Sequence, residues 1–219
     1  MDAESVYIAM MAEAASRLMA ADRFIACHRS GKEIACLESA ALQVRKALEN
    51  IAFSAISTNK AAYEGIRSQA EKNKDFTRDY HANRILRDLH RVQKDFYPLA
   101  LVSAVNLTPE FQSGRTWHFE RKNEGYLTQD KFRKVYDRLA KYLHARNPWD
   151  QPVPWEGLIE FLPRVIDETR SLIELHAAFI RTADFNGVWI VEVPKDSIEP
   201  KIIVGNAGGN FAVLDHGKT

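Results

Sequence analysis

Two long runs of apolar residues, spaced alternately three and four apart, constrain the fold more than any other feature. The first run spans residues 2–28, and the second begins at Lys32 and meets no proline or glycine before Tyr63. This spacing places side chains along one stripe of an α-helix. About four residues around Ser30 and Gly31 separate the runs, too few for anything but an antiparallel connection. The sequence therefore predicts an antiparallel hairpin of two long helices.

The stripe of the second helix repeats in a heptad-like manner. Its members are Ile34, Leu37, Ala41, Val44, Leu48, Ile51 and Ala55. A dimeric coiled coil would be expected to sustain such a pattern beyond these turns. We therefore interpret the stripe as the core of a helical bundle, with a coiled coil as the alternative.

The rest of the chain predicts further helices followed by a small sheet. Helical patterns cover residues 61–71, 80–92, 128–147 and 155–181, and residues 99–119 suggest a short β-hairpin. Beyond Asn186, three short β-runs cover residues 188–193, 201–204 and 211–214. The predicted fold class is mainly α: a helical bundle over residues 1–183, with an antiparallel β meander over 184–219 packed on it, α+β overall.

Composition excludes several classes of protein. With 219 residues, 46% hydrophobic and 27% charged, the chain is neither a disordered protein nor a collagen-like fibre. The acidic start Met1-Asp-Ala-Glu4 is unlike a secretory signal, and no apolar stretch is long enough to span a membrane. We interpret Cys27 and Cys36 as core thiols of a reducing compartment. These features predict a cytoplasmic protein with no membrane partner.

Metal and cofactor motifs are missing from the sequence. The seven histidines are scattered, and Cys27 and Cys36 match neither a redox CxxC nor a zinc knuckle. The segment Gly205–Asn210 lacks the Lys-Ser/Thr and the helix that a phosphate-binding loop needs, so it predicts a hairpin turn. We expect no metal site and no cofactor, although convergence of ligands in space is invisible in a sequence.

An arginine and a histidine near the end of one predicted helix suggest chemistry on phosphodiesters. Arg138 could hold a phosphate, and His144, six residues later, could exchange a proton near neutral pH. RNA supplies its own 2′-hydroxyl nucleophile, so this chemistry needs no metal. Three other arginine–histidine pairs have four or five residues between them, but Arg138 and His144 stand beside the chain break at Asn147-Pro148. In the alternative interpretation, His144 only caps the helix and Arg138 pairs with Asp137 or faces solvent.

With this pair, residues 1–150 resemble a known family. The helical body, the run Leu37-Glu-Ser-Ala-Ala-Leu-Gln-Val-Arg-Lys-Ala-Leu-Glu49 and the Arg138-x5-His144 element are similar to HEPN domains. The resemblance implies metal-independent RNA cleavage, usually across a homodimer, in toxin-antitoxin, phage-defence or RNA-processing systems. Within the run, Arg45 and Glu49 are four residues apart and predict an ion pair on the helix.

Charge is distributed unevenly along the chain. The net charge is only +1, yet residues 72–146 hold 16 Lys and Arg against nine Asp and Glu, a local charge of +7. Aromatic residues are interleaved with these cations, as in surfaces that track phosphates and stack bases. We expect RNA binding here. The candidate nucleic-acid-binding residues are Arg133, Lys134, Lys141 and Arg146.

Two functions remain open from the sequence. The first is a HEPN-like RNA-binding protein or metal-independent endoribonuclease that uses Arg138 and His144. The second is a catalytically silent helical module that assembles with another protein, with its basic block facing an acidic partner and its meander offering an edge for strand addition.

Overall fold

Helices dominate the chain in the computed structural model, which describes residues 2–71, 74–103, 105–106, 117–144, 149, 155–181, 186–195 and 198–206. The helices are α1 (Ala3–Gly31), α2 (Ile34–Ser57), α3 (Lys60–Ser68), α4 (Ala82–Val92), α5 (Gln129–Leu143) and α6 (Trp155–Ile173), with a short 3₁₀ helix at Phe76–Arg78. The strands are β1 (Leu99–Ala100), β2 (Val105–Asn106), β3 (Trp117–His118), β4 (Leu175–Arg181), β5 (Asn186–Glu192) and β6 (Lys201–Asn206). The predicted fold class is confirmed: a helical bundle carries a small antiparallel sheet.

The predicted hairpin of two long helices is confirmed by α1 and α2. Asp2 caps α1 by accepting a hydrogen bond from the Ser5 backbone N–H at 2.7 Å. At the other end Lys32, rather than Gly31, adopts the left-handed conformation that stops α1. The predicted stripe of α2 is buried against α1 except for Ile34, which lies exposed at the turn. The stripe is thus the bundle core.

The shorter helices complete the core around this hairpin. α5 begins as predicted, with Thr128 as its N-cap, and buries Phe132, Val135, Tyr136, Leu139 and Tyr142. α4 begins at Ala82, two residues later than the pattern indicated. α6 continues through Pro163.

The prediction that the last helix extends to Arg181 is wrong. α6 ends at Ile173, and Leu175–Arg181 forms β4, which pairs on one side with β1 and along its whole length with β5. A short apolar run buried on both faces has the same composition in a strand as in a helix, so periodicity could not separate the two. The four-stranded sheet has the order β1-β4-β5-β6.

The sheet joins distant parts of the chain. β1 lies beside β4 rather than in the predicted local hairpin, whereas β2 and β3 do form an antiparallel pair within residues 99–119. The sheet takes strands from both sides of the predicted boundary at residues 183 and 184. The third predicted β-run, 211–214, lies outside the described residues.

One face of the sheet packs on the helical core. Trp189 of β5 meets the ring of Tyr7 edge to face, with 5.6 Å between centroids, and Tyr7 in turn contacts His176 of β4. Ala178, Ile180 and Val191 belong to the same core as α1 and α2. No helix in the described part of the chain is long and apolar enough to cross a membrane.

The interpretation of both cysteines as core thiols is wrong. Cys27 is exposed in the last turn of α1, and its sulfur is bonded to that of Cys36, which is buried in the first turn of α2. Their Cα atoms lie 6.1 Å apart. The two cysteines are nine positions apart, and the connection between α1 and α2 lies between them. The hairpin itself therefore brings the two residues together.

Candidate functional site

An open cleft of about 470 Å³ lies between α4, the segment before it, and α5. Four arginines, two aspartates, an asparagine and two aromatic or imidazole rings line it. We call it the arginine cleft; its lining is Arg78, Asp79, Tyr80, His81, Asn83, Arg84, Arg87, Arg133 and Asp137.

A buried ion pair fixes the segment that forms the cleft wall. Arg67 of α3 is 1% exposed, and its Nε lies 2.8 Å from Asp79 Oδ2 while its Nη2 donates to Asp79 Oδ1 at 3.0 Å. The Tyr63 hydroxyl donates to Asp79 Oδ2 at 2.9 Å. Burial, reinforced by this carboxylate, raises the pKa of Tyr63, so the phenol stays the donor. Asp79 is thereby tied to α3.

The extended backbone at Asp79 then directs its neighbours outward. With φ −75° and ψ 128°, Asp79 points inward and the adjacent residues point the other way, because side chains alternate along extended chain. Arg78 is 82% exposed and Tyr80 is 75% exposed. Because the backbone is extended at Asp79 and again at His81, α4 begins only at Ala82. By holding Asp79 inward, the ion pair leaves the Arg78 guanidinium and the Tyr80 ring exposed to solvent.

The arginines of α4 surround one buried carboxylate. Asp88 is buried, with Arg87 Nε at 3.3 Å and Arg84 Nε and Arg67 Nη1 each at 3.9 Å from its oxygens. Together with Asp79, which pairs with Arg67, Asp88 offers two negative charges against three guanidinium groups. Arg87 remains 62% exposed. The wall of the cleft therefore carries positive charge that faces solvent.

A polar network in the bundle supports the floor of the cleft. The ring of His81 packs edge-on against Tyr136, with 5.3 Å between centroids. Tyr136 donates to Glu49 Oε1 at 2.8 Å, and Arg45 both stacks on its ring and donates to its hydroxyl at 2.7 Å. Burial first, and then the bond to Glu49, raises the pKa of Tyr136. The predicted ion pair of Arg45 and Glu49 is confirmed at 3.3 Å.

The predicted nucleic-acid-binding residues lie in different places. Arg133 lines the cleft opposite α4, where Asn83 donates to the Arg133 carbonyl and to Asp137. Lys134 and Lys141 are exposed on α5 but are not part of the lining. Arg146 lies outside the described residues.

The predicted catalytic pair is not brought together on one face of α5. The Arg138 guanidinium lies 4.0 Å from the ring centroid of Phe161 and donates to the Gly157 carbonyl at 3.2 Å, so it contacts α6. His144 is exposed and forms the C-cap of α5. Six residues of regular helix turn the two about 120° apart. His144 also lies beyond the end of α5, about 16 Å along the helix axis from Arg133, and is not part of the cleft lining.

Sequence reasoning missed Arg78, Tyr80, His81, Arg84 and Arg87 as a site. They lie within the basic block of residues 72–146, but the candidate residues chosen from that block were all on α5 or just after it. A signal was present, since Arg78-Asp-Tyr-His81 places cations beside two rings directly before a basic helix. Only the packing of α4 on α5 adds Arg133 to this group.

Metal-ligating side chains cluster elsewhere. Within the described ranges, a single group of three or more such residues has ligand atoms close enough to share an ion: Cys27, Glu33 and Cys36 at the α1–α2 turn. None of them lines the arginine cleft.

Comparisons with known proteins found no match for this chain. The chain matches no protein-family model, no curated protein and no solved structure.

Proposed function

We propose that the protein binds single-stranded RNA in the arginine cleft. The observation that carries the proposal is the grouping of four arginines around an exposed Tyr80 and His81. Guanidinium groups bind phosphates in bidentate fashion, and aromatic faces stack on unpaired bases. An open cleft that offers guanidinium groups and aromatic rings suits single-stranded RNA better than a duplex, because the bases of a single strand are free to stack on the rings.

Charge supports a polyanion as the ligand. Asp79 is already paired with Arg67, and Asp137 accepts a hydrogen bond from Asn83. Arg78 and Arg87 each form an ion pair at 3.3 Å, with Asp75 and Asp88, yet both guanidinium groups remain largely exposed and open to a further anion. RNA, rather than DNA, is favoured by the resemblance to HEPN domains.

A salt titration with matched charge variants tests the binding. For four phosphate contacts, the logarithm of the association constant should fall with the logarithm of salt concentration with a slope of about −3. The double variant Arg87→Gln/Arg133→Gln should reduce the slope by about 1.4 and weaken binding about 25-fold at 0.1 M salt. Fluorescence anisotropy with a labelled oligouridine measures both.

The control variant is Arg23→Gln/Arg164→Gln, which removes the same charge from exposed positions outside the cleft lining. It should bind like the wild type apart from a small loss. Equal losses in the two double variants would contradict the assignment to the cleft and would indicate attraction by net charge alone. A labelled oligothymidine of the same length tests the preference for RNA.

Cleavage of the bound RNA is the second candidate, and the exposure of His144 at the end of α5 favours it. In this proposal His144 exchanges the proton of the RNA 2′-hydroxyl. Arg138 either holds α5 against α6 or turns to bind a phosphate. The wild type should shorten the labelled RNA in the presence of EDTA, and His144→Ala should leave it intact. RNA that is bound but uncut by both proteins would reject cleavage and leave the binding proposal standing.

A protein partner is the remaining alternative. The basic cleft would then face an acidic protein surface, and the homodimer implied by the resemblance stays a prediction. Failure of the anisotropy assay with RNA, together with a normal fold, would favour this alternative.

A further inference from the structure

The turn between α1 and α2 gathers three side chains that are typical ligands of soft divalent metals. The Sγ atoms of Cys27 and Cys36 and a carboxylate oxygen of Glu33 all lie within 4.8 Å of one another. Thiolates and carboxylates are established ligands of Zn²⁺. The grouping is local, because all three residues fall within ten positions of the chain.

The backbone of the turn is firmly held. Lys32 N–H donates to the His28 carbonyl at 2.7 Å, and the buried His28 ring bonds through Nδ1 to the Glu33 carbonyl at 2.8 Å. Cys36 N–H donates to the Glu33 carbonyl at 3.3 Å. These bonds fix the position of Glu33 relative to both helices, so the ligands are held near one another before a metal arrives.

The Glu33 side chain does not cap the helix that follows it. Glu33 is the N-cap residue of α2, yet its side chain makes no capping hydrogen bond. It folds back instead, and its Oε2 lies 3.9 Å from Cys36 Sγ. The carboxylate is thus directed toward the sulfurs rather than toward the helix end.

The two sulfurs can exist in two chemical states. In the structure they form a disulfide. Reduction by a thiol reductant breaks the S–S bond, delivers two electrons and two protons, and oxidises the reductant to its own disulfide. Zn²⁺ then displaces the two thiol protons. In tetrahedral zinc coordination the sulfurs lie about 3.8 Å apart, so the reduced side chains have only to separate by rotation.

Two of the three side chains are open to solvent, whereas Cys36 is buried in the first turn of α2. Cys27 and Glu33 are exposed, so a metal can enter and a water can complete four-coordinate geometry.

We propose that Cys27, Glu33 and Cys36 form a zinc site in the reduced protein, in exclusive competition with the Cys27–Cys36 disulfide. Zinc then closes the tip of the α1–α2 hairpin under reducing conditions, as the disulfide closes it under oxidising ones. The site is independent of RNA binding in the arginine cleft.

Titration of the full-length protein with Co²⁺ and Zn²⁺ tests the site. In a phosphine reductant, the wild type should bind one equivalent of Co²⁺ and show a thiolate-to-cobalt charge-transfer band, which one equivalent of Zn²⁺ abolishes. Cys27→Ser and Cys36→Ser should each lose the band. Glu33→Gln should weaken zinc binding at least about tenfold, since loss of even an outer-shell partner has that effect.

Two controls make the result decisive. Glu38→Gln, an exposed carboxylate of the next turn of α2, should bind zinc like the wild type. Circular dichroism of each reduced variant shows whether the helices remain. A folded, reduced wild type that shows no charge-transfer band would overturn the proposal and leave a disulfide only, and a folded Glu33→Gln variant with wild-type affinity would remove Glu33 from the site.

Discussion

Asp79→Asn should lower the free energy of unfolding by about 3 to 5 kcal/mol, the range for removal of one partner from a buried ion pair. The substitution keeps the volume but leaves the Arg67 guanidinium, buried in the protein, without its nearest carboxylate, because Asp88 Oδ2 is 3.9 Å away. Asparagine also keeps only one acceptor oxygen, so it cannot accept from both the Tyr63 hydroxyl and Arg67 Nη2 on separate oxygens as Asp79 does. For a chain of this size the thermal midpoint should fall by roughly 10 °C.

The matched control is Asp75→Asn, which removes the same charge from the N-cap of the preceding 3₁₀ helix. Asp75 is exposed, and asparagine serves equally well as an N-cap, so the midpoint should change little. Because Asp79 positions Arg78 and Tyr80, Asp79→Asn should also weaken RNA binding at a temperature where the variant remains folded. A midpoint shift no larger than that of Asp75→Asn would contradict the anchoring role of Asp79.

Acid should destabilise the protein through His176. This imidazole is 0% exposed, and burial lowers its pKa to about 4. It accepts a hydrogen bond at Nε2 from the Tyr7 hydroxyl at 2.8 Å, while its Nδ1–H donates to the Ile173 carbonyl at 2.9 Å. Burial raises the pKa of Tyr7, so its hydroxyl remains the donor. The bond from Tyr7 requires the neutral ring, because a protonated Nε2 cannot accept, whereas the bond to Ile173 persists in either form and opposes the effect of burial on the pKa.

The sign of the pH dependence follows from the two pKa values. The unfolded chain binds a proton at His176 below about pH 6.5, whereas the folded protein does so only near pH 4. The stabilisation is therefore complete above pH 6.5 and is lost as the pH falls toward 4. At pH 4.5 the loss from this group should be about 2 to 3 kcal/mol.

Urea unfolding of the wild type and of His176→Gln, each from pH 8 to pH 4.5, measures this contribution as the difference between their pH dependences. Glutamine does not titrate in this range. If His176→Gln does not fold, the imidazole NMR signals of the wild type give the same information, because the His176 ring should stay neutral down to about pH 5. A ring that titrates near pH 6.5, or identical pH dependences, would contradict the buried neutral state.

Local periodicity was sufficient to predict the helical hairpin. The apolar stripes of α1 and α2 are long, regular and free of proline, so one spacing rule assigns both helices and the tight turn assigns their antiparallel order. The same rule failed at Leu175–Arg181. There the choice of strand over helix depends on β1 and β5 lying on either side, which is information from distant parts of the chain.

Only part of the candidate site could be predicted from the sequence, because the rest depends on contacts between distant parts of the chain. The charge gradient indicated residues 72–146, and one of the candidate residues chosen there, Arg133, lines the arginine cleft. The inward turn of Asp79, which exposes Arg78 and Tyr80, depends on a buried arginine of α3. Nothing in the local sequence marks Arg67 as buried, because arginine is rarely found in a protein interior.

Ultraviolet cross-linking of the wild-type protein to an RNA that contains 4-thiouridine, followed by mass spectrometry of tryptic peptides, tests the central claim most directly. If RNA bases stack in the arginine cleft, the cross-link should fall on the peptide 79–84, which contains Tyr80 and His81. Its yield should drop in Arg87→Gln/Arg133→Gln but not in Arg23→Gln/Arg164→Gln. Cross-links confined to peptides outside the cleft lining, or equal yields in both double variants, would contradict RNA binding in the arginine cleft.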